Sequence, residues 1–304
     1  MKQLFLILFS CILLTVNAQD WNIPKVGDGG WEVEQEFTLN KKRRNILLIS
    51  EASAYTVALV GLNQLWYADY PKSSFHFIND NEEWLQMDKM GHMSASYYTG
   101  VAGIKAYEWA GFSRKNAIWY GGMTGSIFLT VIEVLDGTSE QWGASSGDLI
   151  ANTTGSLLAI GQALKWNEQR IQLKYSYIPS NMAAKNPEQL GSNHLERALK
   201  DYNGQTYWLT LNIKSLLQIE NPDFPSWLSL ALGYGADEMV NPYHEEGDAE
   251  RYRQFLMSFD VDLNKIKTKN KTLNSVLHTF GFLKFPTPAI QYTNGNIFFQ
   301  SIYY

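Results

Sequence analysis

The chain has 304 residues, a net charge of −5 and a single cysteine, Cys11. No basic run exceeds Lys41-Lys42-Arg43-Arg44, which argues against nucleic acid as a partner, because phosphate binding needs a concentrated basic surface. One cysteine excludes an internal disulfide and multi-cysteine zinc sites, and none is left for chemistry if a leader carrying Cys11 is removed.

Residues 1–18 read as a secretory signal peptide. Lys2 supplies the positive start, Leu4 to Val16 is nearly unbroken apolar sequence, and Ala18 is the small residue that a signal peptidase needs before the cut. Cleavage is expected between Ala18 and Gln19. The alternative is lipid attachment at Cys11, since Leu8-Phe9-Ser10-Cys11 loosely resembles a lipobox, although Phe9 is bulky for it and apolar sequence continues past the cysteine. Either reading gives an exported protein of a Gram-negative-type envelope, in the periplasm or the outer membrane.

After an N-terminal segment, 19–44, the hydrophobic period over 45–167 is helical. Four helices are expected, at Asn45 to Tyr67, Asp88 to Trp109, Arg114 to Leu135 and Ser146 to Trp166. Each is about 20 residues long, near the length that crosses a bilayer core. Gly121 with Gly125, and Gly155 with Ala159, offer the four-residue spacing that lets helices approach closely. Glu51, Lys105, Glu108 and Glu133 interrupt the apolar runs, so membrane spans and a packed bundle touching the membrane both stay open. Ser113 is placed to cap the third helix, and Ser145 with Asp148 has capping-box spacing for the fourth. The aromatic segment from Tyr67 to Trp84 is too irregular to assign.

Over 168–304 the period becomes two. Ile171-Leu173-Tyr175-Tyr177, Tyr207-Leu209-Leu211-Ile213, Leu228-Leu230-Leu232-Tyr234 and Phe255-Met257-Phe259-Val261-Leu263 alternate with more polar residues, and Ile297 to Tyr304 does so more weakly. This predicts an antiparallel sheet with one apolar face, and an α+β fold. That face either covers the helices or meets lipid, as in an outer-membrane barrel; the terminal aromatic Tyr304 suits the second. Five to seven strands fall short of the roughly eight that a closed single-chain barrel needs.

The chemistry-bearing residues lie in the helical region. Asp88 and His92 are one turn apart, with Lys89 beside them. Glu133 and Asp136 share a face, as do Asp148, Asn152 and Gly155. If the apolar remainders pack the helices together, these groups converge. A histidine among carboxylates suits general acid–base chemistry or a hard metal ion. No metal-ligand set is assigned and the cofactor stays unknown. Each residue also has a plain structural reading, as a helix cap or a member of a buried network.

The succession Asp88-Lys89-x-x-His92, Glu133-x-x-Asp136 and Ser146-Gly147-Asp148-x-x-x-Asn152-x-x-Gly155 resembles the YfiM-like family of predicted periplasmic lipoproteins, a domain of unknown function. More loosely, it is similar to VanZ-like membrane proteins, from which Asp136 departs, since that pattern has an uncharged polar residue there. The resemblance covers about 84–161 and leaves out the sheet. It implies an envelope location and a shared site, without an established reaction.

Other motifs carry less. Gly143-Ala144-Ser145-Ser146-Gly147 matches the serine-hydrolase elbow, but a polar loop precedes it, and Ser145 is read as a helix cap. Tyr243-His244-Glu245-Glu246 offers metal-binding side chains, but between Asn241-Pro242 and Gly247-Asp248 it reads as an exposed loop between strands. His76, His194 and His278 lack patterned partners, and the sequons at Asn152 and Asn270 matter only in a eukaryote. The functional expectation is a membrane-associated binding or structural module whose partner is a membrane or envelope lipid. The alternative is an envelope hydrolase or transferase acting on a lipid or lipid-linked substrate through the Asp/His/Glu cluster.

Overall fold

The computed structural model describes residues 39–68 and 70–303. The expected signal peptide, its cleavage point, Cys11 and the terminal Tyr304 lie outside the described residues. Helix α1 is Lys41–Leu62 and runs on into a π turn, Asn63–Tyr67. It begins earlier than the hydrophobic period predicts because Asn40 caps it, its side chain accepting from the Arg43 backbone N–H. Arg43 is held in turn over the Trp109 ring, 5.2 Å from its centroid, and donates to the Trp109 carbonyl. Helix α2 is Met87–Trp109, α3 is Arg114–Gly137 with a π turn at Ala117–Gly121, and α4 is Ser146–Trp166. Ser113 and Ser145 cap α3 and α4 as their spacing predicts.

Glycines set how closely α2, α3 and α4 approach. A Cβ on Gly121 would lie 2.3 Å from the Gly103 carbonyl carbon, and one on Gly155 would lie 2.1 Å from the Met93 carbonyl oxygen. Both neighbours are backbone, so the helices touch main chain to main chain, and side-chain volume there would drive them apart. Helix α1 sits outside this trio and buries only Ala54, Ala58 and Leu62. Two short strands, β1 (Phe77–Ile78) and β2 (Ala144–Ser145), pair in parallel and tie the irregular segment to the start of α4.

Six strands follow: β3 (Ile171–Tyr177), β4 (Gln205–Asn212), β5 (Leu228–Asp237), β6 (Tyr252–Val261), β7 (Thr287–Thr293) and β8 (Asn296–Tyr303). Each is antiparallel to its sequence neighbour. The fold is therefore α+β, and the sheet is open rather than closed into a barrel. The outer edge of β3 is met by Phe282 to Lys284, whose backbone exchanges hydrogen bonds with Tyr175. Strand β7 escapes the alternation rule because Pro288 interrupts it and only Ile290 and Tyr292 mark its apolar side. The β4 and β6 patterns overrun: Asn212 caps a short helix, Ile213–Leu216, and Asp262 caps the turn Leu263–Lys265.

One face of this sheet leaves a long apolar row exposed. Register aligns Leu209, Leu232, Met257, Ile290 and Phe299 across five strands, and their exposure runs from 37% at Leu209 to 71% at Phe299. The opposite face is enclosed and mixed: Trp208, Ala231, Leu256 and Ala289 form a buried apolar cluster there, beside buried polar groups. Lys174 Nζ lies 2.6 Å from Asp260 Oδ2 with both side chains fully enclosed, Gln172 donates to Asp262, and Trp208 donates to Ser176 Oγ. Helix α2 covers the apolar face only at its start, where Tyr97 and Tyr98 donate to the Ile171 and Leu173 carbonyls and Leu173, Tyr175 and Tyr207 are buried.

Candidate functional site

The cluster forms because three helices each present polar residues at one level of a glycine-lined contact. Lys89, one residue into the first turn beyond Asp88, reaches across to three carboxylates. Its Nζ is 2.6 Å from Asp80 Oδ2, 2.7 Å from Asp88 Oδ2 and 3.3 Å from Asp148 Oδ1. The carboxylates raise its pKa, outweighing the opposite pull of burial.

One turn further along α2, the His92 ring faces the other two helices. Its Nδ1 lies 2.9 Å from Asn152 Oδ1 on α4. Its Nε2 lies 3.6 Å from Asp148 Oδ2 and 3.9 Å from Glu133 Oε1 on α3. Burial drives the His92 pKa down to about 4, and burial raises those of Asp88 and Asp148. Below this level Ser96 Oγ donates to the Asn152 carbonyl and meets Ser156 Oγ at 2.9 Å, closing the α2–α4 contact with polar groups.

The start of α4 explains why Asp148 is available. In a complete capping box its side chain would reach back to the Ser145 N–H. Here Ser145 Oγ accepts from the Asp148 N–H, while the Ser145 N–H donates to Glu133 Oε2. Glu133 thus takes over half of the box, and the Asp148 carboxylate turns toward Lys89 and His92. Ser145 Oγ also donates to Asp80 at 2.5 Å, so this hydroxyl is a cap inside a network.

The structure brings Asp88, Lys89, His92, Glu133, Asp148 and Asn152 together. Asp136 stands at the margin, accepting from Tyr67 OH at 2.7 Å. Asp88 and Asp148 are not side-chain caps; each lies in a first helical turn behind Gln86 and Ser145. Tyr243-His244-Glu245-Glu246 is an exposed loop. Asp80 is the group that sequence spacing missed. It is buried in an irregular Asn-Asp-Asn segment, where no period points to it.

Trp84, Leu85 and Gln86 were also illegible. All three have positive φ, 47°, 49° and 67°, costly for side-chain-bearing residues. They turn the chain sharply into α2 just before Asp88. The sheet region holds them there: the Trp84 N–H donates to the Pro242 carbonyl, Tyr234 OH to the Leu85 carbonyl at 2.5 Å, and Arg253 to Gln86 Oε1.

Residues 75–162 match the family model described as "Predicted periplasmic lipoprotein (DUF2279)". The matched segment holds all the residues of the cluster except Tyr67, and the resemblance read from the motifs is to this family. Its description agrees with an exported location in the periplasm or outer membrane. No curated protein and no solved structure matches the chain.

Proposed function

We propose that the chain is an exported envelope module that lies against a lipid bilayer, outer membrane by preference, through the exposed face of its sheet. The polar cluster serves as the internal network that locks three helices. The observation that carries this reading is the exposed apolar row of the sheet, Leu, Met, Ile and Phe side by side across five strands, while the other face encloses even the Lys174–Asp260 pair. In water such a face is a continuous apolar patch of the kind that marks an interaction site. Helix α1, long and apolar enough to cross a membrane, adds exposed Ile49, Val57 and Val60. A free strand edge is not tolerated in hydrocarbon, so the open sheet favours a seat at the interface over a spanning barrel.

Flotation of the purified full chain with phosphatidylethanolamine/phosphatidylglycerol vesicles tests this reading. The protein is expected to rise with the vesicles and to stay there in high salt. Recovery of all of it at the bottom of the gradient, as a folded soluble species, ends the proposal.

A second reading, an envelope hydrolase or transferase acting on a lipid or lipid-linked substrate, draws on the convergence of His92 with Asp148 and Glu133. Their environments push the histidine and Asp148 in opposite directions, a pattern that suits acid–base work. Against it stands burial, since the His92 and Asp148 side chains are 8% and 9% exposed. His92→Ala separates the readings. A network role predicts a loss of roughly 1–3 kcal/mol of stability or more, whereas a reaction predicts a folded protein without its envelope effect.

A further inference from the structure

The His92 ring is set up as a ligand. Asn152 Oδ1, 2.9 Å from Nδ1, is an acceptor and so places the ring proton on Nδ1. Nε2 is left with a lone pair, 3.6 Å from Asp148 Oδ2 and 3.9 Å from Glu133 Oε1. Lone pairs facing carboxylate oxygens repel unless a cation lies between them. The separations of 3.6 and 3.9 Å are too long for direct hydrogen bonds. Two ligands each about 2.1 Å from one ion are at most about 4.2 Å apart, so both distances fall within the span of a shared metal. An outer-sphere amide that fixes the tautomer of a histidine ligand is a recurrent feature of metal centres.

Charge points the same way. The carboxylates of Asp80, Asp88, Glu133, Asp136 and Asp148 are all buried, and Lys89 is the ammonium in direct contact with three of them. Asp80, Asp88 and Asp148 also come within metal-binding range of one another, but Lys89 already fills the space they share. His92, Glu133 and Asp148 form a second group, with ligand atoms within 4.8 Å of one another; Asp148 meets Lys89 through Oδ1 and turns Oδ2 toward His92. Buried carboxylates crowded together are costly, and a bound cation offsets that cost.

We propose that His92 Nε2, Glu133 Oε1 and Asp148 Oδ2 bind one first-row divalent transition ion of the zinc class. The imidazole sets that class apart from magnesium and calcium, which take oxygen ligands. The site is independent of the lipid seat and stands if that reading fails.

The test uses the full chain, stripped with a chelator and titrated with zinc chloride by calorimetry. One equivalent is expected to bind and to raise the melting temperature. His92→Gln and Asp148→Asn should each lower affinity by more than a hundredfold. Asn152→Ala, which removes only the group orienting the ring, should lower it by about 10–100-fold. The control His244→Ala, in an exposed loop, should change nothing. Absence of stoichiometric zinc, manganese or cobalt binding overturns the proposal, as does zinc binding that His92→Gln leaves intact. If the variants do not fold, zinc X-ray absorption on the wild-type chain decides. One imidazole in an all-N/O shell near about 2.0–2.1 Å supports the site, and a shell without imidazole overturns it.

Discussion

Single side chains here are stabilised by partners rather than by water. Lys174 and Asp260 form an ion pair with no solvent contact on either side, and the Lys174 ammonium also donates to the Val261 carbonyl. Removing one partner leaves the other charge buried and uncompensated, so Lys174→Met is expected to cost about 3–5 kcal/mol in urea unfolding. In the cluster the sign of pH dependence follows from the shifts. Burial raises the folded-state pKa values of Asp88 and Asp148, so the native chain holds more protons than the unfolded one above the ordinary carboxylate range. Their contribution therefore falls as pH rises toward neutrality. His92, lowered from 6.5 to about 4, works the other way, because the unfolded chain takes up the extra proton between those values. In chelator-treated protein, Asp148→Asn removes one falling contribution. Its stability should then climb with pH more steeply than that of wild type across about 4–6.5, as read by urea titrations at a series of pH values.

Among the elements, the glycines divide by what surrounds them. Gly121 faces the backbone of Gly103 and has no room for a Cβ, whereas Gly61 near the end of α1 has nothing within 4 Å. Gly121→Ala is expected to destabilise by about 1–3 kcal/mol through forced separation of α2 and α3. Gly61→Ala should stabilise by up to about 1 kcal/mol through helix propensity, and paired thermal melts check both. Backbone contact at such glycines brings α2, α3 and α4 together where His92 lies within 4 Å of two carboxylates, whereas α1 buries only three of its residues. The left-handed turn at Trp84 to Gln86 belongs to this scale too, since its anchors come from the sheet region and the loop before β6.

Over the whole molecule, the helical trio and the sheet meet along β3 and β4, and the apolar face of the sheet continues past that junction uncovered. Charge placed on this face should affect lipid binding far more than folding. Met257→Lys combined with Phe299→Lys, both at exposed positions, is expected to abolish vesicle flotation. Circular dichroism and the urea midpoint should stay close to wild type. Loss of flotation accompanied by unfolding, or unchanged flotation, would count against the bilayer seat. Lys174→Met gives the opposite pattern, unstable yet still lipid-seeking, because it acts on the enclosed side of the same sheet.

Period and spacing made much of this legible. The helical period locates α2 and α4 to within a residue at each end, the two-residue period locates five of the six long strands, and the i, i+4 spacing pairs Asp88 with His92 and Asp148 with Asn152. These are local properties, set by the repeat of one backbone conformation. Asp80, the Glu133 contact that frees Asp148, and the left-handed run at Trp84 depend on groups distant in sequence or on irregular backbone, where no repeat exists to read. The direction of the sheet lies in the same class. Alternation says that one face is apolar, but which face is enclosed depends on where α2 lands and on the Lys174–Asp260 pair forming across the other side, and both are long-range contacts.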